Sequence, residues 1–224
     1  MIEASQRWMV SYPGAVVGTL VVRKARATVP SAKLEALREA LEADIRARFV
    51  GGKEALRGDA VLAAYATYYR GFKKTYHVAL QLESVATKGR RISSPNPLVQ
   101  AMFMAELRNR LLTAGHDLAR VQLPIRIDVA GAGERYVGMG GAERVAAEGD
   151  MRISDTQGIL SSIIYGPDAR TAIGPETDSA LFTVYAPAGI GAETVRAHLS
   201  DLARFAIAAA PGAVAEAPET VTAE

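Results

Sequence analysis

The stretch from Ser93 to Asp117, SSPNPLVQAMFMAELRNRLLTAGHD, constrains the fold of this chain more than any other. It opens on a marked helix start. The Asn96 side-chain oxygen can cap the first free N–H groups, and Pro97 suits the first helical position, where a missing N–H costs nothing. From Leu98 to Ala105 only Gln100 interrupts an apolar run, and a helix apolar on all sides belongs in a core. Arg108 and Arg110 stand in the last turns, where cations complement the negative end of the helix dipole. Past Thr113 the chain is expected to leave the core through Gly115, His116 and Asp117, which would put a titratable pair at the mouth of a buried helix.

The other elements follow from period. Ser31 can cap a helix with Leu34, Leu37, Leu41 and Ile45 at spacings of three and four, and Gly51-Gly52 stops it. Asp59 can cap a second, with Val61, Leu62, Tyr65, Tyr69 and Phe72 on or near one face, and a third runs from about His77 to Thr87. Trp8 to Val22 reads as two strand-like pieces around the turn Tyr12-Pro13-Gly14. After residue 118 the period becomes two. Ile125, Ile127 and Val129 alternate with Arg126 and Asp128, and short strands are expected around Tyr136 and Val137 and over 151–154, 159–165 and 181–186. A last helix spans Gly191 to Ala209, with Val195, Leu199, Leu202 and Ala206 on one face. Helices followed by strands predict one α+β domain over residues 1–209, not a doubly wound parallel sheet. The tail, 210–224, has little to bury and is expected to be disordered.

A chain of 224 residues can bury a substantial core without staples. It has no cysteine, which excludes disulfides, thiolate nucleophiles and cysteine-based metal sites, and fits the cytoplasmic location expected here. The apolar run Ala15 to Val22 is broken by Gly18, is too short to span a bilayer and does not read as a signal peptide. With a net charge of +2, attraction to nucleic acid has to come from a local patch. One exists: Arg70, Lys73, Lys74, Lys88, Arg90 and Arg91 fall near Tyr68, Tyr69 and Tyr76, which suits phosphate contacts with base stacking, and suits a solvated face as well.

The three histidines form no HxH or HxxxH pair, so no metal and no cofactor is expected. His198 reads as a surface residue of the last helix and His77 as structural or solvated. His116 stands beside a carboxylate and a glycine, where it reads as a general acid or base, or as a hydrogen-bonded structural residue. Gly131-Ala132-Gly133 is a hairpin turn, not a dinucleotide fingerprint, and there is no Walker loop. The loop Gly166 to Thr177 holds Asp168, Arg170, Thr171 and Thr177, enough to line a small pocket or simply to form a polar loop.

Five motifs in order, SYPGAVVG (11–18), KGRRISSPNPLV (88–99), GMGGAE (138–143), DTQGIL (155–160) and ARTAIGPETDSALFTV (169–184), carry a resemblance. Over about residues 8–209 the chain resembles the tRNA-binding B3/B4 domain, the editing domain of the bacterial phenylalanyl-tRNA synthetase beta subunit, and its free-standing relatives. The resemblance implies an α+β fold with a central mixed, largely antiparallel sheet flanked by helices, and a cleft for the aminoacylated end of tRNA. In the synthetase that cleft hydrolyses the ester of tyrosine wrongly attached to the phenylalanine tRNA. Such an ester is already activated, so the site has only to exclude the correct amino acid, place a water and stabilise the oxyanion.

Asn96, Asp117, Gly140, Gly141 and Thr177 match the family pattern. Phe103, Ala114, Ile164 and Thr183 stand where the family pocket uses Asn, His, Gly and Glu, so selectivity for tyrosine does not carry over. The resemblance implies a pocket of Asn96, Phe103, Ala114, Ile164, Tyr165 and Thr183, with His116 and Asp117 as catalytic groups, His116 lying two residues beyond the lost histidine position. Lys73, Lys74, Lys88, Arg90 and Arg91 would hold phosphates. The expected partner is tRNA or aminoacyl-tRNA, with no membrane, and the expected function is hydrolysis of mischarged aminoacyl-tRNA in trans. The alternative is a non-catalytic RNA-binding or small-molecule-binding module on the same fold, which the apolar Phe103, Ala114 and Ile164 favour.

Overall fold

In the computed structural model, which describes residues 2–224, four of the seven α-helices begin where a short polar side chain accepts the first free N–H groups. A short strand β1 (Ile2–Ala4) leads to Ser5, whose hydroxyl accepts the Trp8 N–H at 3.0 Å and starts α1 (Gln6–Ser11). Strand β2 (Val16–Arg23) follows, then α2 (Ala32–Arg48) capped by Ser31, the short α3 (Lys53–Arg57), α4 (Ala60–Gly71) capped by Asp59, and α5 (His77–Lys88). Asn96 caps α6 (Pro97–Asn109) through Leu98 N at 2.9 Å, and β3 (Leu112–Asp117) comes next. The second half contains β4 (Ile125–Val129), β5 (Arg135–Val137), β6 (Glu143–Val145), β7 (Met151–Asp155), β8 (Gly158–Ser162), β9 (Gly166–Pro167) and β10 (Ala180–Ala186). Helix α7 (Ala192–Ala209) and strands β11 (Val214–Ala215) and β12 (Glu219–Thr222) close the chain.

The strands form two five-stranded sheets and a hairpin. The first sheet runs β1-β4-β7-β8-β9, the second runs β11-β2-β10-β3 with β12 also on β2, and β5 pairs β6. Among the described residues only β1 with β4 is parallel, and the other strand pairings are antiparallel. The architecture is therefore mixed α+β, with antiparallel-rich sheets flanked by helices. Helix α7 lies on β2 at Gly18, where a Cβ would come within 2.5 Å of Val195 Cγ1 and 2.9 Å of Leu199 Cδ1. On the opposite face of the second sheet, the Tyr185 hydroxyl meets that of Ser161 in the first sheet at 2.5 Å.

Three sequence expectations are overturned. The first strand-like piece, around Trp8, is the helix α1: Trp8 is fully buried, with Nε1 3.2 Å from Met151 Sδ, while Val10 faces solvent, a helical and not an alternating pattern. Residues 112–117 do not leave the core. Arg110, at φ +61°, ends α6 in the left-handed region, and the chain turns straight into a buried strand against β10. The tail is not disordered, because it is held by backbone pairing, not side-chain burial: Val214–Ala215 and Glu219–Thr222 add antiparallel to β2, and Gly14 N–H reaches Ala223 O at 2.8 Å.

Helix α4 joins the two sheets. The Tyr65 hydroxyl donates to Tyr185 O at the end of β10 and accepts the N–H of Leu112 at the start of β3, 2.9 Å away. The Tyr68 hydroxyl accepts Met151 N–H at 2.7 Å and donates to Asp150 at 2.6 Å, and Tyr69 donates to Ile163 O at 2.9 Å. Tyr76, stacked on Tyr65 at 4.2 Å, donates to Arg110 O. These rings are core, so Tyr68, Tyr69 and Tyr76 cannot stack on bases. Tyr65→Phe leaves a buried carbonyl and a buried N–H unpaired, and is expected to cost about 2 kcal/mol or more in chemical denaturation; a cost indistinguishable from that of an exposed Tyr→Phe change would refute this role.

Candidate functional site

Helix α6 turns one side toward β3 and the segment after β8, and a cleft of about 400 Å³ lies between them. Val99, Met102, Phe103 and Glu106 recur at helical spacing and line its helix wall. Leu112 and Ala114 of β3 face them, and Ile163, Ile164 and Tyr165 complete the far side, with Met139 from the β5–β6 turn. Asp150 fixes that far side by accepting the Ile164 N–H at 3.0 Å as well as the Tyr68 hydroxyl. A second cavity, about 420 Å³, adjoins the first, since His77 and Phe103 line both. Its wall includes Arg90, Arg91, Gln81 and Ser84.

Phe103, Ala114, Ile164 and Tyr165 thus come together as expected of a pocket. The rest of the expected site does not. Asn96 is used up at the α6 start and in donating from Nδ2 to Gly174 O at 3.0 Å. Thr183, fully buried in β10 on the same face as Tyr185, does not line the cleft. Asp117 accepts from Ala119 N–H at 3.1 Å and from the Thr177 hydroxyl at 3.0 Å, which makes it a turn cap and an anchor for the 166–177 loop.

His116 is fully buried away from the cleft. Its Nδ1 lies 2.8 Å from the Thr171 hydroxyl, which itself donates to Asp168, so Nδ1 carries the proton. Burial lowers its pKa to about 4, helped by the Arg170 charge. Neither His116 nor Asp117 can reach a ligand in the cleft. The loop residues Asp168, Arg170, Thr171 and Thr177 are likewise bound to one another, to Asp155 and to β3. His198 is also corrected: it is fully buried, with Nε2 2.8 Å from the Thr113 hydroxyl, and burial pulls its pKa down to about 4.

The cations fare better. Lys73 and Lys74 are exposed just before α5, and the Lys74 ammonium sits 5.6 Å from the Tyr165 ring centre, with Arg144 5.9 Å from the same ring. Lys88 and Arg90 are exposed, and Arg91 pairs with Glu35, which also accepts from Arg38 and Gln100. Cations therefore border both cavities.

The residue that sequence reasoning missed is Glu106. It is only 2% exposed, lines the cleft, and has the Thr113 N–H, 2.8 Å away, as its hydrogen-bond donor. Burial pushes its pKa up to about 8, so it is mostly protonated at neutral pH. The signal was present as a lone carboxyl three residues after Phe103 and four after Met102 in an otherwise apolar helix. Among the described residues no group of three or more His, Asp or Glu is arranged to hold a metal ion, and no helix is long and apolar enough to cross a membrane.

Four buried groups set an expected pH profile. His116 and His198 titrate near 4 in the fold and near 6.5 unfolded, so each removes stability as pH falls through that window. Glu106 (about 8 against 4.5) and Asp150 (about 6 against 3.8) are raised, so each removes stability as pH rises between its two values. The pairs cancel between about pH 4.5 and 6. From 6.5 to 8 only Glu106 acts, and stability is expected to fall by about 1.4 kcal/mol per pH unit. In Glu106→Gln the alkaline decline should vanish and stability should rise from pH 4.5 to 6.5; parallel urea-midpoint profiles for the two proteins would rule the assignment out.

No protein-family model matches the chain, and no curated protein sequence matches it. Among solved structures it is similar to an N-terminal fragment of the phenylalanyl-tRNA synthetase beta subunit from Pyrococcus horikoshii, at 13% identity and a TM-score of 0.50. The match covers 96% of this chain and 50% of that one. The two are distantly related in fold.

Proposed function

We propose that this chain is a B3/B4-type module that binds the aminoacylated end of a tRNA. The observation that carries the reading is the pair of adjoining cavities. One is largely apolar and sized for an amino-acid side chain, while the other, across His77 and Phe103, is lined by Arg90 and Arg91. An aminoacyl nucleotide has the same two parts, an acyl group with a side chain and a phosphate-bearing nucleoside. Lys74 and Arg144 at the Tyr165 rim add positive charge where the RNA backbone would lie. The fold likeness to a synthetase fragment supports a tRNA partner over other phosphate-bearing ligands.

Ester hydrolysis is a second reading, and one observation favours it. Glu106 is a titratable group on the cleft wall, and burial holds it near 8, so it can exchange a proton near neutral pH. Hydrolysis assigned to His116 and Asp117 is not proposed, because both lie outside the cleft.

The test is binding of aminoacyl-tRNA and of the same tRNA deacylated, across a salt series, followed by a deacylation time course. The aminoacyl form should bind more tightly, and Arg90→Ala should reduce the salt slope by about one without changing the preference for the aminoacyl form. Equal affinity for the two tRNAs, or binding insensitive to salt, would defeat the proposal. Acceleration of ester loss would add catalysis to it, whereas tight binding with no acceleration would leave a binding module.

A further inference from the structure

We propose that Glu106 is the specificity-determining residue of the cleft and selects ligands that carry a protonated primary amine on an apolar body. The inference deepens the aminoacyl reading, since the α-ammonium of an aminoacyl ester is such an amine.

The geometry requires a partner for this group. Glu106 is 2% exposed and stands on a wall otherwise formed by Val99, Met102, Phe103, Leu112 and Ala114. Thr113 N–H supplies one hydrogen bond, and among the described residues no cation pairs with the carboxyl. Three tyrosine hydroxyls, of Tyr65, Tyr69 and Tyr76, all donate to backbone carbonyls, so none of them gives its proton to Glu106. Burial above all, with a smaller contribution from the Glu106 charge, raises the pKa of each of these phenols. Among the described residues, then, no positive charge of the protein is paired with this carboxyl when it ionises. An ammonium group entering the cleft supplies that charge, and an apolar ligand of the same shape leaves the carboxyl unpaired. A site built around a buried hydrogen-bonding group rejects the analogue that lacks it.

Pairing also moves a proton. The free carboxyl is mostly neutral at pH 7, and an adjacent ammonium stabilises the carboxylate. Binding therefore transfers the Glu106 proton to solvent while the ligand nitrogen keeps its own. The other titratable groups around it stay silent between about pH 6.5 and 8.5: His77 and His198 are lowered by burial, and the three tyrosines are raised.

The test is calorimetric titration of the full chain with 3-methylbutylamine and with 3-methyl-1-butanol, in two buffers of different ionisation enthalpy, from pH 6 to 9. The amine should bind about ten- to a hundredfold more tightly than the alcohol. It should release close to one proton at about pH 7, and its affinity should rise by up to about tenfold per pH unit below pH 8 and then level off. Glu106→Gln, which keeps an acceptor for Thr113, should erase both the preference and the proton release while alcohol binding persists. Equal binding of amine and alcohol, no binding of the amine, or proton release that survives in Glu106→Gln would overturn the assignment. The wild-type proton count needs no variant, so a poorly folded Glu106→Gln protein would not rescue a failed prediction. If the amine preference holds but aminoacyl-tRNA binds no better than deacylated tRNA, the tRNA reading fails and the Glu106 assignment stands.

Discussion

The structure depends on tyrosine hydroxyls that satisfy the cut ends of two sheets. Strands that stop inside a protein leave backbone groups without ladder partners, and each such group is costly if it stays unpaired. Here β10, β3, β7 and the chain just past β8 all stop beneath α4, and Tyr65, Tyr68 and Tyr69 reach Tyr185 O, Leu112 N, Met151 N and Ile163 O from a single helix. A phenol can do this because its ring fills core volume while its hydroxyl both donates and accepts. Aliphatic residues at these positions would pack and leave the strand ends bare.

The cleft follows from that arrangement. The strand ends that the tyrosines secure are also its walls: Leu112 begins β3, and Ile163 to Tyr165 continue from β8. Asp150 connects the two roles, because one carboxylate takes both the Tyr68 hydroxyl and the Ile164 N–H. On the opposite wall, α6 is held by its Asn96 cap and by Gln100, which donates to Glu35 within the ion-paired cluster around the buried Arg38. The walls are therefore fixed by hydrogen bonds behind them, and the space between them need not be filled. Ligand sites commonly have this character: a preformed, mostly apolar concavity with a few placed polar groups.

Much of this was legible in the sequence. Caps at Ser31, Asp59 and Asn96 with period-3.6 apolar residues located three helices closely, since a cap and a period are local signals. The strand Ile125–Val129 was legible for the same reason. What failed was long-range. The tail is ordered by pairing with the edge of β2, a partner about two hundred positions away that no window of residues reports. Likewise LTAGHD, which carries a glycine and two charged or titratable residues, reads as an exit from the core; only its pairing with β10 makes it a buried strand.

His116 and Glu106 show why the chemistry of a site is harder to read than its walls. In sequence His116 has the attributes of a catalytic group, beside Asp117 and Gly115, yet the closure of the 166–177 loop over the end of β3 buries it against Thr171. Glu106 looks like an ordinary helical carboxylate, yet its place on α6 puts it on the cleft wall between Phe103 and Thr113. Residue type sets what a side chain can do, whereas its protonation state and reach are set by burial and by the strand or helix face it occupies. Both of these are tertiary properties. The apolar residues Phe103, Ala114 and Ile164 acquire their meaning in the same way: with them on the walls, Glu106 is the acidic side chain that the described residues present to the cleft.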